Sequence, residues 1–233
     1  MTQTALITGA TSGIGRAIAQ RLAKVPEMSL ILCGRDHDRL RDIERLARSS
    51  GCNTATISAD LANDEGIADI VSAIAMSERV ETIVHCAGLG RFGTVEEIGS
   101  EEFDRMIRVN LRAPYLLTRH CLPFLENAGR SRVVFLGSDA EEALSSGSAI
   151  YAASKAGLKA MVRNLQLEVA PSGVNLVLVS PGRVDTHFNG RNPGDRPGAL
   201  SPEDVATAVV SLIAMPDNIE VQNLRLDSMA RMS

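Results

Sequence analysis

Tryptophan is absent from this 233-residue chain, and the aromatics amount to two tyrosines and five phenylalanines. With so few stacking side chains, no basic stripe and a mild net charge of −4, a nucleic-acid surface is not expected. No apolar run approaches the roughly 20 residues that a spanning helix needs. The N-terminus enters a strand-like segment at once instead of a signal-type apolar core, so the expectation is a cytoplasmic protein with no membrane association. The four cysteines, Cys33, Cys52, Cys86 and Cys121, are far apart and form no CxxC pair. The four histidines, His37, His85, His120 and His187, share no ligand spacing. Neither a metal site nor a redox pair is therefore expected, and the cysteines read as small buried hydrophobes.

An apolar content of 45% over this length suffices for one substantial core, and one domain spanning residues 1–233 is expected. Strand-length apolar runs recur at Thr4 to Thr8, Leu30 to Cys33, Thr54 to Ser58, Thr82 to His85, Arg132 to Leu136 and Asn175 to Val179, with a seventh at Val221 to Leu226. Helix-like segments separate them, which is the pattern of βα units around a parallel sheet. Val133 to Leu136 and Leu176 to Val179 are continuously apolar, as strands covered on both faces are. Asp36 is placed to cap a helix carrying Leu40, Ile43, Leu46 and Ala47, and Ser201 with Pro202 to open another. Asn189 to Gly198 reads as a long surface loop.

Two clusters carry chemistry. The first follows the first strand directly: Thr8, Gly9, Ala10, Thr11, Ser12, Gly13, Ile14, Gly15, then a helix. Gly9 can make the tight turn, Gly13 lets backbone approach a pyrophosphate, Gly15 permits close helix packing, and the helix N-terminus presents free N–H groups to phosphate charge. At the end of the second strand stands Arg35, where a carboxylate would select NAD. A guanidinium there suits the 2′-phosphate of NADP, although the adjacent Asp36 could tolerate NAD, so NADP(H) is favoured over NAD(H).

The second cluster is Tyr151 with Lys155 one helical turn along the same face, and Ser138 thirteen residues upstream at the end of an apolar run. A phenol titrates near pH 10 and transfers protons sluggishly unless a cation favours the phenolate, which Lys155 is placed to supply. A serine hydroxyl at the same point could hold a carbonyl oxygen for proton transfer.

The glycine spacing, Asp60 with Leu61, Ala87-Gly88, Asn110, Ser138, Tyr151 with Lys155, and Pro181-Gly182 with Thr186 together resemble the short-chain dehydrogenase/reductase family over nearly the whole chain. The glycine motif has the three-residue gap of the single-domain members. This resemblance implies a Rossmann-like, doubly wound sheet of about seven parallel strands with helices on both faces, a three-layer α/β/α arrangement. It implies that Tyr151 is the general acid in reduction and base in oxidation, that Ser138 holds the substrate oxygen, and that Lys155 lowers the Tyr151 pKa and binds the nicotinamide ribose. Asn110 would help hold a water linking Lys155 to solvent, in a helix interrupted near Pro114. Thr186 and the Val184 backbone would fix the carboxamide and Asp60 the adenine. A homodimer or homotetramer, built through the helices carrying Asn110 and Tyr151, is implied in the same way. Two departures stand out: Cys86 replaces the usual Asn before Ala87-Gly88, and Val221 to Asp227 lacks the common Asp-Gly-Gly ending.

The substrate pocket is expected between Leu89–Gly93, Ala140–Ser148 and the loop Arg183–Leu200, whose shortness implies an open site. Arg91, Arg183, Arg191 and Arg196 could attract an acidic substrate, while Glu141 and Glu142 would make one edge negative. The leading expectation is an NADPH-dependent reductase of small ketones, aldehydes or 3-oxoacyl thioesters. The alternatives are an NAD-linked alcohol or sugar dehydrogenase, and a noncatalytic dinucleotide sensor or scaffold.

Overall fold

The computed structural model describes residues 3–77, 79–216 and 218–231. Its strands are β1 (Gln3–Thr8), β2 (Met28–Gly34), β3 (Asn53–Ser58), β4 (Thr82–His85), β5 (Ser131–Leu136), β6 (Val174–Pro181) and β7 (Asn223–Leu226). All pair in parallel, in the order β3-β2-β1-β4-β5-β6-β7. The expected strands match these to within two residues at either end.

The helices are α1 (Gly13–Leu22), α2 (His37–Ser49), α3 (Asp64–Met76), α4 (Ser100–Ile107), α5 (Ala113–Asn127), α6 (Ala149–Val169) and α7 (Pro202–Ile213). The Asp36 carboxylate accepts from the amides of Asp38 and Arg39 and so starts α2, whose Leu40, Ile43 and Ala47 are buried. A reciprocal cap between Ser201 and Asp204 starts α7, with Pro202 in its first turn.

Alternate residues of each central strand feed opposite sides of the sheet. Ala5 and Ile7 of β1, Val134 and Leu136 of β5, and Val177 and Val179 of β6 pack with Ile18 and Leu22 of α1, Leu40 and Ile43 of α2, and Val205 and Val209 of α7. Leu6, Val133, Phe135, Leu176 and Leu178 pack with Ile70 and Ile74 of α3, Leu117 and Cys121 of α5, and Leu158 and Val162 of α6. The sheet is thus the middle of three layers, and its strands lack polar alternation because both faces are dry.

Strand order reverses between β1 and β4, so their C-terminal ends flank a crevice with no crossover helix above it. Ligands of open α/β sheets bind at such a reversal.

Candidate active site

At the end of β1, Gly9 has φ +68° and lies against the β4 exit: a Cβ there would stand 2.8 Å from the Ala87 amide nitrogen. Gly13 also has positive φ, at +50°, and a Cβ on Gly15 would run into the Gly9 carbonyl. Ser12 precedes α1 in extended conformation without a side-chain hydrogen bond to the helix, so this cap leaves the first-turn amides of α1 to another acceptor. Thr11 packs over Gly34, where a Cβ would strike its methyl group, and Ile14 packs against the core. This cradle of backbone, at a helix N-terminus and closed to side chains by contact, fits a pyrophosphate.

Two adjacent residues part company where β2 ends. Both Asp36 oxygens are engaged, one by the Asp38 and Arg39 amides at 3.1 Å and the other by the Arg39 guanidinium at 3.2 Å. Arg35 is exposed beside them, and its charge reaches Asp60. Asp60 accepts from the Ala62 amide at 3.1 Å and from Arg105 of α4 at 2.9 Å. Partial burial tends to raise its carboxyl, but the Ala62 amide, Arg105 and then Arg35 hold it below the usual carboxylate range. Leu61 beside it is buried. The Arg105 partnership, 45 residues away, has no signature in local sequence.

The reacting groups gather where β4, β5 and α6 meet. Ser138, just past β5, is buried, and its hydroxyl is near enough to the Tyr151 phenol on α6 to favour the phenolate. That hydroxyl also accepts from the Ala140 amide at 3.2 Å and donates to Asp139 at 3.3 Å. Lys155 is buried and donates its Nζ hydrogen to the Leu136 carbonyl at 2.7 Å. A Cβ on Gly88 would lie 3.8 Å from Lys155 Nζ and 3.6 Å from Asn110 Oδ1, so the β4 exit brings lysine and asparagine to one point.

Asn110 is satisfied on every side: its oxygen accepts from the Leu89 amide, and its amide group donates to the Leu89 carbonyl and to Ser154 Oγ. Ser154 in turn donates to the Tyr151 carbonyl at 2.7 Å, linking the Asn110 turn to α6. Between α4 and α5, residues Arg108–Arg112 form a π-turn in which Ala113 bonds the Arg108 carbonyl, five residues back. Pro114 has no N–H for the Asn110 carbonyl, so the opening expected near this proline lies just ahead of it.

Burial alone decides the direction for the phenol. It raises Tyr151 above the ordinary value; the Ser138 hydrogen bond opposes, the Asp139 and Glu141 charges add to the rise, and Arg196 opposes. The Lys155 ammonium, expected to lower this pKa, donates to the Leu136 carbonyl at 2.7 Å. Lys155 itself is pulled down to about 8 by burial, against the charges of Glu141 and Cys86. Cys86 is pushed up to about 12 by burial, with Lys155 opposing. Beside Cys86, the Thr8 hydroxyl accepts from the Ala87 amide at 3.2 Å and joins the ends of β1 and β4.

At the end of β6, Pro181 is buried, and Gly182 donates to the Leu226 carbonyl of β7 at 2.7 Å. Val184 is buried and pairs with Leu200, while its carbonyl accepts from Arg196 at 2.7 Å. The Thr186 methyl faces Gly13 across the crevice, and its hydroxyl accepts from the Phe188 amide. Phe188 and Phe92 flank the phenol with ring centroids 5.6 and 5.3 Å from that of Tyr151. The short loop therefore does not leave the expected open site, since Tyr151 is 9% exposed. These two phenylalanines had no motif to mark them.

The expected negative edge is likewise not present as such. Glu141 turns inward to the Ser138 amide and Ser180, and Glu142 pairs with Lys159 and Arg225. Arg91 is held by Glu102 of α4 at 2.9 Å. Among the described residues, no cluster of side chains could hold a metal ion, and no helix is long and apolar enough to cross a membrane.

A parallel sheet with a phosphate-fitting glycine loop at its reversal, and a buried serine, tyrosine and lysine at the neighbouring strand ends, defines an oxidoreductase that works with a nicotinamide dinucleotide. The family model for short chain dehydrogenases matches residues 3–196, and the chain belongs to that family. Similar solved structures include an alcohol dehydrogenase from the archaeon Thermococcus sibiricus complexed with 5-hydroxy-NADP, 33% identical, with TM-score 0.92 over 99% of this chain and 98% of that one. A metagenomic short-chain oxidoreductase in complex with NADP is 31% identical, with TM-score 0.84 and 96% of both chains covered. A sepiapterin reductase from Chlorobaculum tepidum is 31% identical over 95% of this chain and 94% of its own length.

Proposed function

We propose that this protein is an NADPH-dependent carbonyl reductase acting on small ketones, aldehydes or 3-oxoacyl thioesters, and that it works as a homodimer or homotetramer. The observation that carries the reading is the burial of Ser138, Tyr151 and Lys155 together, with the Lys155 Nζ donating to the Leu136 carbonyl at the end of β5 and the Ser138 hydroxyl near enough to the phenol to oppose the rise of its pKa.

Gly9, Thr11, Ser12, Gly13, Ile14 and Gly15 would hold the pyrophosphate, Arg35 the 2′-phosphate, and Asp60 and Leu61 the adenine. Ala87 and Gly88 would border the ribose together with Lys155, and Pro181, Gly182, Val184 and Thr186 would border the nicotinamide. When bound, NADPH supplies the hydride that adds to the carbonyl carbon. Ser138 donates a hydrogen bond to the carbonyl oxygen, and Tyr151 passes its proton to that oxygen as negative charge develops there. A phenol raised by burial is a protonated donor near neutral pH, which favours reduction. Lys155 and the opened turn at Asn110 offer the route by which the phenol regains a proton from water. Phe92 and Phe188 give the carbonyl's substituents aromatic faces to lie against.

NADPH oxidation across ketones, aldehydes, quinones and oxoacyl thioesters tests the reaction. Tyr151→Phe should lower kcat by at least about 100-fold, the scale of general acid catalysis, while NADPH binding measured by fluorescence stays within about threefold. Retained turnover in that variant would remove Tyr151 from the reaction, and tight NADPH binding without turnover of any substrate would point to a sensor.

A further inference from the structure

Glu141 is not among the residues that the reaction just described uses, yet its side chain is only 4% exposed. A buried carboxylate is costly unless hydrogen-bonded, and this one is: Oε1 accepts from the Ser138 amide at 2.8 Å, and Ser180 Oγ approaches both oxygens, at 2.9 and 3.0 Å. Among the described residues its ion-pair partner is Lys159 of α6, at 3.8 Å, and Lys159 lies closer to Glu142. The seat exists because residue 137 is glycine: a Cβ there would collide with Glu141 Oε1 and stand 2.8 Å from Ser180 Oγ. The carboxylate therefore fills the gap between the ends of β5 and β6, directly behind Ser138.

We propose that Glu141 is a positioning residue of the active site: seated behind Ser138, it fixes the Ser138 backbone and sets a buried carboxylate charge behind the Tyr151 and Lys155 pair. This rests on the role of Tyr151 given above. A Ser-x-x-Glu pair at a helical turn is commonly just a reciprocal cap. Here the capped serine is the one beside the phenol, and the cap's charge lies inside rather than in water.

The groups facing the pair come from four elements. Asp139 and Glu141 after β5 both favour the neutral phenol, and Arg196 of the loop after β6 opposes them. Glu141 and Cys86 after β4 both favour the charged lysine. Lys159, one turn beyond Lys155 on α6, faces Glu141 from the other side. Of these, Glu141 alone acts on both tyrosine and lysine in the same sense, toward holding protons.

Glu141→Gln separates the charge from the cap, since the amide oxygen can still accept from the Ser138 N–H. With two tyrosines and no tryptophan in the chain, tyrosinate absorbance in a Tyr115→Phe background reports Tyr151 without needing turnover. Removing the charge should move Tyr151 ionisation and the pH profile of alcohol oxidation about one pH unit toward acid, the order of one charge across a partly buried gap. Glu141→Ala, which also removes the acceptor of the Ser138 amide, should lower kcat by about tenfold or more with little change in KM. An unmoved ionisation and an unmoved profile in Glu141→Gln would overturn the proposal even if Tyr151→Phe is inactive. A moved ionisation in a protein that turns over no carbonyl would leave the electrostatic role standing and reject the reductase.

Discussion

Arg35 and Asp36 are neighbours of opposite charge at the position where a nucleotide's ribose is read, and the fold gives them different work. Asp36 is engaged in α2, one carboxylate oxygen by two helix amides and the other by Arg39, which leaves it less free to accept from a ribose hydroxyl pair. Arg35 is exposed, and its charge is felt at Asp60. Arg35→Asp should therefore weaken NADPH about 10- to 100-fold, the scale of a charge-assisted pair, and change NADH far less. The ratio of kcat/KM for the two cofactors measures this, and an unchanged ratio would take Arg35 out of cofactor choice. At this scale the sequence was legible wherever a residue's task is local. The cap at Asp36 and the glycine turn at Gly9 to Gly15 depend on neighbours within a few positions. Asp60 and Glu141 were misread or half-read, because Arg105 and Ser180 reach them only through the fold.

Elements were legible for a related reason: continuous apolar runs and helical periodicity are written within each segment, so the strands fall within two residues of expectation. Their special features were less so. The π-turn before α5 follows from Pro114, but its place at 108–112 depends on how Asn110 is gripped by Leu89 and Ser154. On β4, His85 looks in sequence like an ordinary strand-end polar residue. In the fold it is buried, 3.1 Å from the Thr118 hydroxyl and stacked near Phe135, and burial drives its pKa down to about 3. An unfolded imidazole takes up its proton near pH 6.5, so between about pH 6.5 and pH 3 the unfolded chain binds one proton more than the native one. Stability must then fall as pH falls through this window, by about 1.4 kcal/mol per unit, and this group has no effect well above it. Urea unfolding of the wild type and His85→Gln checks the sign: the wild type's stability relative to the variant should drop by about 1.4 kcal/mol between about pH 7.5 and pH 5.5. A difference independent of pH would mean that the imidazole titrates in the fold as it does in the unfolded chain.

For the molecule as a whole, βα alternation pointed to a parallel sheet, but a sequence of strands does not state their order, and the crevice between β1 and β4 exists only in the assembled sheet. The outer surface poses a similar question. Along α4 and into α5, Phe103, Ile107 and Tyr115 stand at multiples of four residues; the two aromatics are each 41% exposed, and Leu167 near the end of α6 is 76% exposed. α4 and the π-turn pack on α6, the helix that carries Tyr151 and Leu167. Scattered exposed apolars are ordinary, but an apolar row on two packed helices is what an isologous interface buries. We expect light scattering to give a mass of roughly 50 or 100 kDa, two or four times the 24.8 kDa chain. Phe103→Asp with Tyr115→Asp puts like charges across the two-fold axis without touching the crevice. The pair should reduce the mass to that of one chain and lower the melting temperature in a concentration-dependent way. A wild type of single-chain mass would reject the interface. A double variant that keeps the wild-type oligomer would move the contact to another face, leaving the Leu167 end of α6 as the next place to introduce charge.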